Sequence, residues 1–242
     1  MDRQIIKTII TEKQNTVTKY SVIKRNFDFD SSANYVLVGL RRAGKSYLLY
    51  YDIQKHINSG EKSKEDILYI NFEDERLSFE NASELGEILD AYYELYPQRT
   101  PLIYLDEIQI VSGWEKFARR LADSKYRVMI TGSNAKMLSR EIASSLGGRF
   151  IPKEISPFSF KEYNRYKGIE LGNNWLYDSA VCATVANSFD EYFYNGGIAE
   201  SFPLSDKREY LNSLYQKILV GDIVERNGIR NPRVFRLLVR KL

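Results

Sequence analysis

The sequence predicts an α/β fold in which helices cover both faces of a mostly parallel β-sheet, followed by a mainly helical C-terminal region. Short apolar runs alternate with amphipathic segments in the order β-α-β-α-β-α-β, and the runs are apolar almost throughout, which is typical of strands buried on both faces. The length of 242 residues allows one such core with a smaller appended region. Ligands of these sheets bind beyond the carboxyl ends of the strands, so we expect the functional residues there.

The predicted strands are short apolar runs. They cover residues 35–38, 67–72, 102–105, 128–131 and 150–155. The helices between them are predicted from apolar side chains spaced three or four residues apart. The first helix stops at Gly60, the second runs from an N-cap at Asn81 to Pro97, and the third carries the stripe Trp114, Phe117, Ala118 and Leu121.

Pro157 marks the expected end of the core. We assign residues 1–33 to an N-terminal helical or linker segment, 34–157 to the core and 158–242 to a helical C-terminal region. Helical patterns in that region cover residues 160–166, 189–194 and 211–219. A separate last segment, with Val234, Leu237 and Leu238 on one side, is still helical in pattern at Leu242 and has no capping residue. We therefore expect this region to be the start of a longer second domain.

Composition excludes several classes of protein. With 43% hydrophobic and 28% charged residues, the chain resembles neither a disordered nor a fibrous protein. One cysteine, Cys182, and one histidine, His56, can form neither an internal disulfide nor a Cys/His zinc site. No stretch is apolar enough to span a membrane, and residues 1–20 carry charges where a signal peptide is apolar, so we expect a cytoplasmic protein without a membrane partner.

Charge is unevenly distributed although the net charge is only +3. Residues 61–110 contain 4 basic and 13 acidic side chains, whereas residues 226–242 contain 6 basic side chains and no acidic one. Two interpretations remain open: a pair of solvated faces of opposite charge, or a basic C-terminal surface for DNA or another anionic partner. The basic residues are Arg226, Arg230, Arg233, Arg236, Arg240 and Lys241.

Residues 39–46 fit the P-loop pattern G-x-x-x-x-G-K-S, directly after the first strand and at the start of the first helix. The glycines let backbone N–H groups curl around phosphates, Lys45 is expected to reach the β- and γ-phosphates, and the Ser46 hydroxyl is expected to ligate Mg²⁺. The predicted nucleotide-contacting residues of this segment are Gly39, Leu40, Arg41, Arg42, Ala43, Gly44, Lys45, Ser46 and Tyr47.

Asp106 and Glu107 follow the third strand, 60 residues beyond Ser46. An apolar strand that delivers two carboxylates at its carboxyl end, after a P-loop, is typical of a Walker B element. We predict that Asp106 holds Mg²⁺ through water and that Glu107 is catalytic, orienting and polarising the attacking water. A solvated turn is the alternative interpretation of such a pair.

Polar residues also end the second and fourth strands. Thr131, Ser133 and Asn134 end the fourth strand. In a sheet of this kind that strand lies between the P-loop and Walker B strands and points a polar group at the γ-phosphate, a sensor role that we assign to Ser133 or Asn134. The alternative is an ordinary turn in which Asn134 caps the next helix. Asn71, at the end of the second strand, could hold Glu107 in an inactive rotamer.

The P-loop, the Asp106-Glu107 pair, residues 131–134 and Gly148-Arg149 make residues 30–160 resemble the AAA+ ATPases, especially uncharacterised prokaryotic ATPases with the same Arg-Arg pair in the loop. The resemblance implies the strand order 5-1-4-3-2 and ATP, rather than GTP, as the nucleotide. It also implies that Arg149 is a catalytic arginine finger that reaches the γ-phosphate of a neighbouring subunit. A cation at a helix C-terminus is the alternative for Arg149. Residues 194–226 look like the opening of the C-terminal domain that this group carries.

We therefore expect an AAA+ type ATPase, with ATP and Mg²⁺ as cofactors, that forms a homo-oligomer in the ATP state. Hydrolysis is expected to move the helical C-terminal region. The alternative is a nucleotide-gated switch with little hydrolysis that binds DNA or a protein through its basic C-terminal helices. A P-loop kinase is disfavoured because no arginine-rich lid follows the third strand.

Overall fold

A computed structural model of the chain describes residues 2–79, 81–132, 145–225, 228–239 and 241. The chain divides into two compact units, residues 1–168 and 169–242. The first unit contains α1 (Arg3–Thr16), β1 (Tyr35–Val38), α2 (Lys45–Asn58), β2 (Ile67–Asn71), α3 (Gly86–Leu95), β3 (Leu102–Asp106), α4 (Trp114–Asp123), β4 (Val128–Gly132), β5 (Ile151–Glu154) and α5 (Phe160–Tyr166). The second unit contains α6 (Ser179–Asn195), α7 (Lys207–Lys217), a π-helical segment (Ile218–Glu225) and α8 (Pro232–Val239).

The five strands form one sheet in the order β2-β3-β4-β1-β5, with parallel pairing throughout. This is the predicted order 5-1-4-3-2 counted from the opposite edge, so the predicted fold class and strand order are confirmed. Strand β1 lies between β4 and β5, and β4 separates it from β3. The carboxyl ends of the strands therefore meet at one edge, where the segments that follow β1, β3 and β4 come together.

Side chains along the strands alternate between two buried layers. On one face, residues such as Val36 and Ile103 pack with α1, α3 and α4. On the other face, residues such as Leu37 and Tyr104 pack with α2 and with the segment before β1. Burial on both faces explains why β1 to β4 are near-continuous apolar runs in the sequence. The edge strand β5, in contrast, is exposed along its length.

Several elements differ from the sequence predictions at their ends. Strand β5 is shorter than the predicted 150–155. Asn81 caps a 3₁₀ turn, Ala82–Leu85, and α3 begins only after it, at Gly86. Helix α6 is much longer than the predicted segment 189–194. Its early turns bury a single apolar side chain, Val185, so they show little apolar periodicity and were not predicted.

The second unit is helical, as predicted, and its apolar side chains are buried only in part. Among the residues of this unit that the structure describes, the buried apolar ones are Val185, Phe202, Leu219 and Val224. In the part of the chain that the structure describes, no helix is both long and apolar enough to cross a membrane.

A buried ion pair connects three segments of the first unit. The Arg25 guanidinium donates from Nε to Glu162 Oε1 at 2.7 Å. The same guanidinium donates to the carbonyl oxygens of Ala43, in the P-loop, at 3.1 Å and of Ser156 at 2.8 Å. The pair therefore links the segment before β1, the P-loop and helix α5.

Glu162 is held in its ionised form by this arrangement. Burial by itself raises the pKa of Glu162, but hydrogen bonds from Arg25 and from the backbone N–H groups of Asn26 and Ser159 lower it to about 2. A carboxyl group whose pKa is lower in the folded than in the unfolded protein stabilises the fold above its unfolded pKa of about 4.3. That stabilisation is lost as the pH falls towards the folded pKa.

We expect Glu162→Gln to lower the free energy of unfolding at pH 7 by about 3 kcal/mol, because it leaves the buried Arg25 without its carboxylate. The difference from wild type should shrink between about pH 5 and pH 2, where wild-type Glu162 itself becomes protonated. Urea unfolding at a series of pH values measures both effects, with the exposed Glu154→Gln as the matched control. A loss that is equal for both variants, or independent of pH, would contradict the assignment.

Candidate functional site

The P-loop joins the end of β1 to the first turn of α2. Gly39 and Gly44 have φ angles of +152° and +92°, and Arg42 has +63°. Glycine adopts such angles without strain, which explains its place at both ends of the pattern. A Cβ at Gly39 would also lie 2.2 Å from the carbonyl oxygen of Ile155, so this position has no room for a side chain. Gly44 is the N-cap of α2, and the N–H groups of the first helical turn therefore face the loop.

Lys45 begins α2 and is buried inside the loop, with 4% of its side chain exposed. Its Nζ donates to the carbonyl oxygens of Gly39 at 3.3 Å and Leu40 at 3.1 Å. The same atom lies 3.7 Å from Glu107 Oε1. Burial lowers the pKa of Lys45, and the neighbouring carboxylates of Glu107 and Asp106 oppose that decrease. The cation thus lies between the loop and the two acidic residues.

Asp106 is the last residue of β3 and is almost completely buried. Its Oδ1 accepts hydrogen bonds from Ser46 Oγ at 3.1 Å and from the Thr131 hydroxyl. Its Oδ2 accepts from the Tyr69 hydroxyl at 2.5 Å. Burial raises the pKa of Asp106, and the three hydroxyl groups oppose that increase by hydrogen bonding to the carboxylate. Neutral donors from three elements therefore fix the orientation of this carboxylate.

Glu107 adopts a left-handed backbone conformation, with φ +56°. Its backbone N–H donates to Thr131 Oγ1 at 3.0 Å, and its Oε2 accepts from Gln109 Nε2 at 2.5 Å. Non-glycine residues seldom adopt this conformation, and such local strain is concentrated at functional sites. The side chain is largely buried beside Lys45, so the carboxylate faces the P-loop.

The structure brings Lys45, Ser46, Asp106 and Glu107 into one cluster at the carboxyl edge of the sheet. Ser133 and Asn134, the predicted γ-phosphate contacts, lie outside the described residues. Thr131, two residues earlier, contacts both carboxylic residues of the cluster.

The hypothesis that Asn71 holds Glu107 assigned this contact to the wrong side chain. Asn71 Oδ1 accepts the backbone N–H of Glu73 at 2.9 Å, a local turn contact that is common for asparagine. The amide that contacts Glu107 belongs to Gln109, which lies two residues further along the chain. Sequence reasoning also missed Tyr69, for which a polar residue within an otherwise apolar strand was the available signal. Thr131 was recognised as one of the polar residues that end the fourth strand, but its contact with Asp106 was not predicted.

Arg149 lies at the opposite, amino edge of the sheet. It precedes β5, and its carbonyl oxygen accepts from Asn34, which precedes β1, at 3.3 Å. Its guanidinium pairs with Asp123, at the end of α4, and donates to the carbonyl oxygen of Gly147 at 3.2 Å. The P-loop leaves the carboxyl end of β1, so Arg149 is separated from the phosphate cradle of its own chain by the length of the sheet.

The side-chain oxygens next to the P-loop are suitable ligands for a magnesium ion that binds together with a phosphate. Within the described residues, no three His, Cys, Asp or Glu side chains are grouped so that they could hold a metal by themselves. Mg²⁺ does not need such a group, because it keeps several waters and takes one or two carboxylates together with substrate phosphates. Ser46 Oγ and Asp106 Oδ1 are hard oxygen ligands that lie 3.1 Å apart beside the P-loop, and this donor set fits such an ion.

Comparison with known proteins identifies a family and two relatives of similar sequence. A family model described as an AAA domain matches residues 31–164. An uncharacterized protein of Methanocaldococcus jannaschii is 36% identical over 244 residues, covering 98% of this chain and 53% of the relative. An uncharacterized protein of Haemophilus influenzae is 30% identical over 210 residues, covering 84% of this chain and 49% of the relative. The chain thus spans about half the length of these curated relatives.

Two solved structures show weaker likenesses. AMPPCP-bound DnaA from Aquifex aeolicus is 15% identical with a TM-score of 0.39, covering 90% of this chain and 67% of that one. The Aeropyrum pernix ORC1 protein in complex with DNA is 16% identical with a TM-score of 0.37, covering 89% and 65%. TM-scores this low transfer no functional detail to this chain.

Proposed function

The chain belongs to the AAA domain family of P-loop ATPases, and we propose that it hydrolyses ATP with Mg²⁺ and thereby changes the conformation of its C-terminal region. The observation that carries this proposal is the single cluster formed by Lys45, Ser46, Asp106 and Glu107. It combines a phosphate-binding cation, oxygen ligands for a metal and a carboxylate that could activate water. These are the groups that phosphoryl transfer to water requires.

Binding would use the P-loop and the start of α2. The N–H groups of residues 39–47 would surround the phosphates, and Lys45 would exchange the carbonyl oxygens of Gly39 and Leu40 for phosphate oxygens. Ser46 would ligate the metal directly and Asp106 through water. The bound metal would neutralise charge on the β- and γ-phosphate oxygens.

Hydrolysis would depend on Glu107. Its carboxylate would orient a water for in-line attack on the γ-phosphorus and accept the proton as the new P–O bond forms and the bond to the leaving ADP oxygen breaks. Gln109, hydrogen bonded to Glu107, and Thr131, hydrogen bonded to its backbone, would set the position of that carboxylate. The contact with Lys45 would weaken once Lys45 turns to the phosphates, which frees one carboxylate oxygen for water.

We expect Glu107→Gln to reduce ATP turnover by at least about 10²-fold while ATP binding persists, because the amide keeps the shape but accepts no proton. Lys45→Ala should abolish measurable nucleotide binding, since it removes the buried cation of the cradle. Phosphate release and nucleotide titration measure the two effects, with the exposed Glu75→Gln as the control.

Unchanged turnover in Glu107→Gln would remove Glu107 from its proposed role. Tight, magnesium-dependent ATP binding by the wild type with no turnover would instead favour the alternative function, a nucleotide-gated switch. One observation favours this second candidate. The Glu107 carboxylate contacts Gln109 and Lys45, and a carboxylate occupied by these contacts is not available to activate water.

We also propose that the ATP-bound protein assembles into a homo-oligomer in which Arg149 is the arginine finger. Its position at the amino edge of the sheet supports action on the site of a neighbouring subunit rather than its own. In the isolated chain its guanidinium pairs with Asp123. Assembly would have to replace that ion pair by a contact with the γ-phosphate of the neighbour.

Arg149→Ala should lower turnover of the assembled protein by about 10³-fold, as loss of a finger does in other P-loop enzymes. Wild-type activity per molecule should rise with protein concentration, and the exposed Arg119→Ala on α4 should behave like wild type. Activity per molecule that does not change with concentration would rule out a finger supplied by a neighbour.

The basic C-terminal helices support the proposal that the protein binds an anionic partner, such as DNA. Arg230, Arg233 and Arg236 are exposed, and α8 exposes apolar residues beside them. Arg226 and Arg240, which belong to the same basic run, lie outside the described residues. Exposed arginines fit a solvated face as well as a binding surface, and a DNA-binding assay distinguishes these two interpretations.

Duplex DNA should be retarded in a mobility-shift assay at low salt, with the logarithm of the binding constant falling about 0.9 per phosphate contact as the logarithm of salt concentration rises. Arg233→Ala combined with Arg236→Ala should weaken the shift and reduce that slope by about 2. The exposed Arg208→Ala on α7 is the control. The absence of any shift at low salt would exclude DNA as the partner.

A further inference from the structure

We propose that Tyr69 is a positioning residue that holds Asp106 in the orientation required to bind Mg²⁺ with ATP. The proposal rests on the proposed function, because the metal concerned is the one assigned to Ser46 and Asp106. Tyr69 belongs to β2, outside the P-loop and Walker B segments, and no part of the mechanism above uses it.

The two oxygens of the Asp106 carboxylate accept from hydroxyl groups of different elements. Oδ1 accepts from Ser46 and Thr131, and Ser46 is the hydroxyl that would turn towards the metal. Oδ2 accepts from the Tyr69 hydroxyl at 2.5 Å. When the metal draws Ser46 away, the Tyr69 hydrogen bond would persist. It would then keep the carboxylate from rotating about its χ angles.

The sheet register explains how a residue of β2 reaches this carboxylate. Asn71 pairs with Asp106, and Tyr69 pairs with Tyr104, so Tyr69 lies two positions before the strand end. Residues two apart share a face of the sheet, and a long aromatic side chain can span the diagonal to the neighbouring strand. The Tyr69 ring is 1% exposed and lies in the layer between the sheet and α2. Its packing leaves the hydroxyl little freedom to move.

Helix α2 also contacts the Tyr69 hydroxyl, through Tyr50. The Tyr50 hydroxyl lies 3.2 Å from the Tyr69 hydroxyl, and the Tyr50 ring stacks on Tyr20 with centroids 4.7 Å apart. Tyr50 follows Ser46 by four residues and so lies on the same side of the helix. Helix α2 therefore contacts Asp106 directly through Ser46 and indirectly through Tyr50 and Tyr69.

Tyr69→Phe removes one hydroxyl and keeps the buried ring, so it tests the hydrogen bond to Asp106 separately from the packing of the ring. Side chains that orient metal ligands typically contribute about 10- to 100-fold to metal affinity or activity. Calorimetric titration with AMPPNP, a non-hydrolysable ATP analogue, gives the Kd in Mg²⁺ and in EDTA. We expect the Mg²⁺-dependent gain in affinity to fall by about 10-fold in Tyr69→Phe, with the EDTA value unchanged.

Two further variants make the result specific. Tyr93→Phe removes a partly buried phenol from a comparable hydroxyl–hydroxyl contact, with Tyr126 at 2.6 Å, and should leave both Kd values unchanged. Tyr50→Phe keeps Tyr69 but removes its supporting hydroxyl, and should reduce the same Mg²⁺-dependent gain to a smaller extent. Thermal unfolding checks that each variant is folded.

The outcomes separate this proposal from the function on which it rests. A full Mg²⁺-dependent gain in Tyr69→Phe would overturn the positioning role, as would an equal loss of affinity in Mg²⁺ and in EDTA. If Tyr69→Phe does not fold, an undiminished gain in Tyr50→Phe overturns it. A wild-type protein that binds AMPPNP equally with and without Mg²⁺ would contradict the proposed function itself, and the role of Tyr69 with it.

Discussion

The buried carboxylate of Asp106 is the group on which the arrangement of the site depends. A charged side chain this deeply buried is costly unless hydrogen bonds compensate for the lost water. Ser46, Thr131 and Tyr69 supply those bonds from α2, β4 and β2. The hydrogen bonds to this one carboxylate therefore connect three neighbouring strands and the helix that follows the P-loop. The strand order, with β4 between β1 and β3, is what brings these donors within reach.

The P-loop is held from a second direction by Arg25. Its guanidinium contacts the carbonyl oxygen of Ala43 in the loop and the carboxylate of Glu162 in α5. The loop thus lies between a buried carboxylate on the Walker B side and a buried cation on the other. A loop supported at both sides can present its N–H groups to phosphates with little rearrangement, which is the physical basis of preorganised binding.

The sequence was sufficient for the fold class, because apolar runs mark strands buried on both faces, and the resemblance to the AAA+ ATPases supplied the strand order. Lys45, Ser46, Asp106 and Glu107 were selected by motifs of fixed spacing, and the structure places them close together. Their roles in binding and catalysis stay predictions. The contacts of Tyr69, Thr131 and Gln109 were not predicted, although Thr131 was recognised as a polar residue at the end of its strand, because these contacts depend on strand register and side-chain rotamer. Arg25 escaped for a similar reason, since its partner Glu162 is 137 residues away. The predicted contact between Asn71 and Glu107 was wrong because an asparagine side chain is equally suited to a local turn, which is where Asn71 forms its hydrogen bond.

Direct location of the metal would test the central claim, that Ser46 and Asp106 form a magnesium site beside the phosphates. Crystals grown with AMPPNP and Mn²⁺ in place of Mg²⁺ would reveal the ion by its anomalous scattering. The account predicts one peak bonded to Ser46 Oγ and to phosphate oxygens, with a water between the ion and Asp106. Bound nucleotide with the ion elsewhere, or with no ion near Ser46, would contradict it.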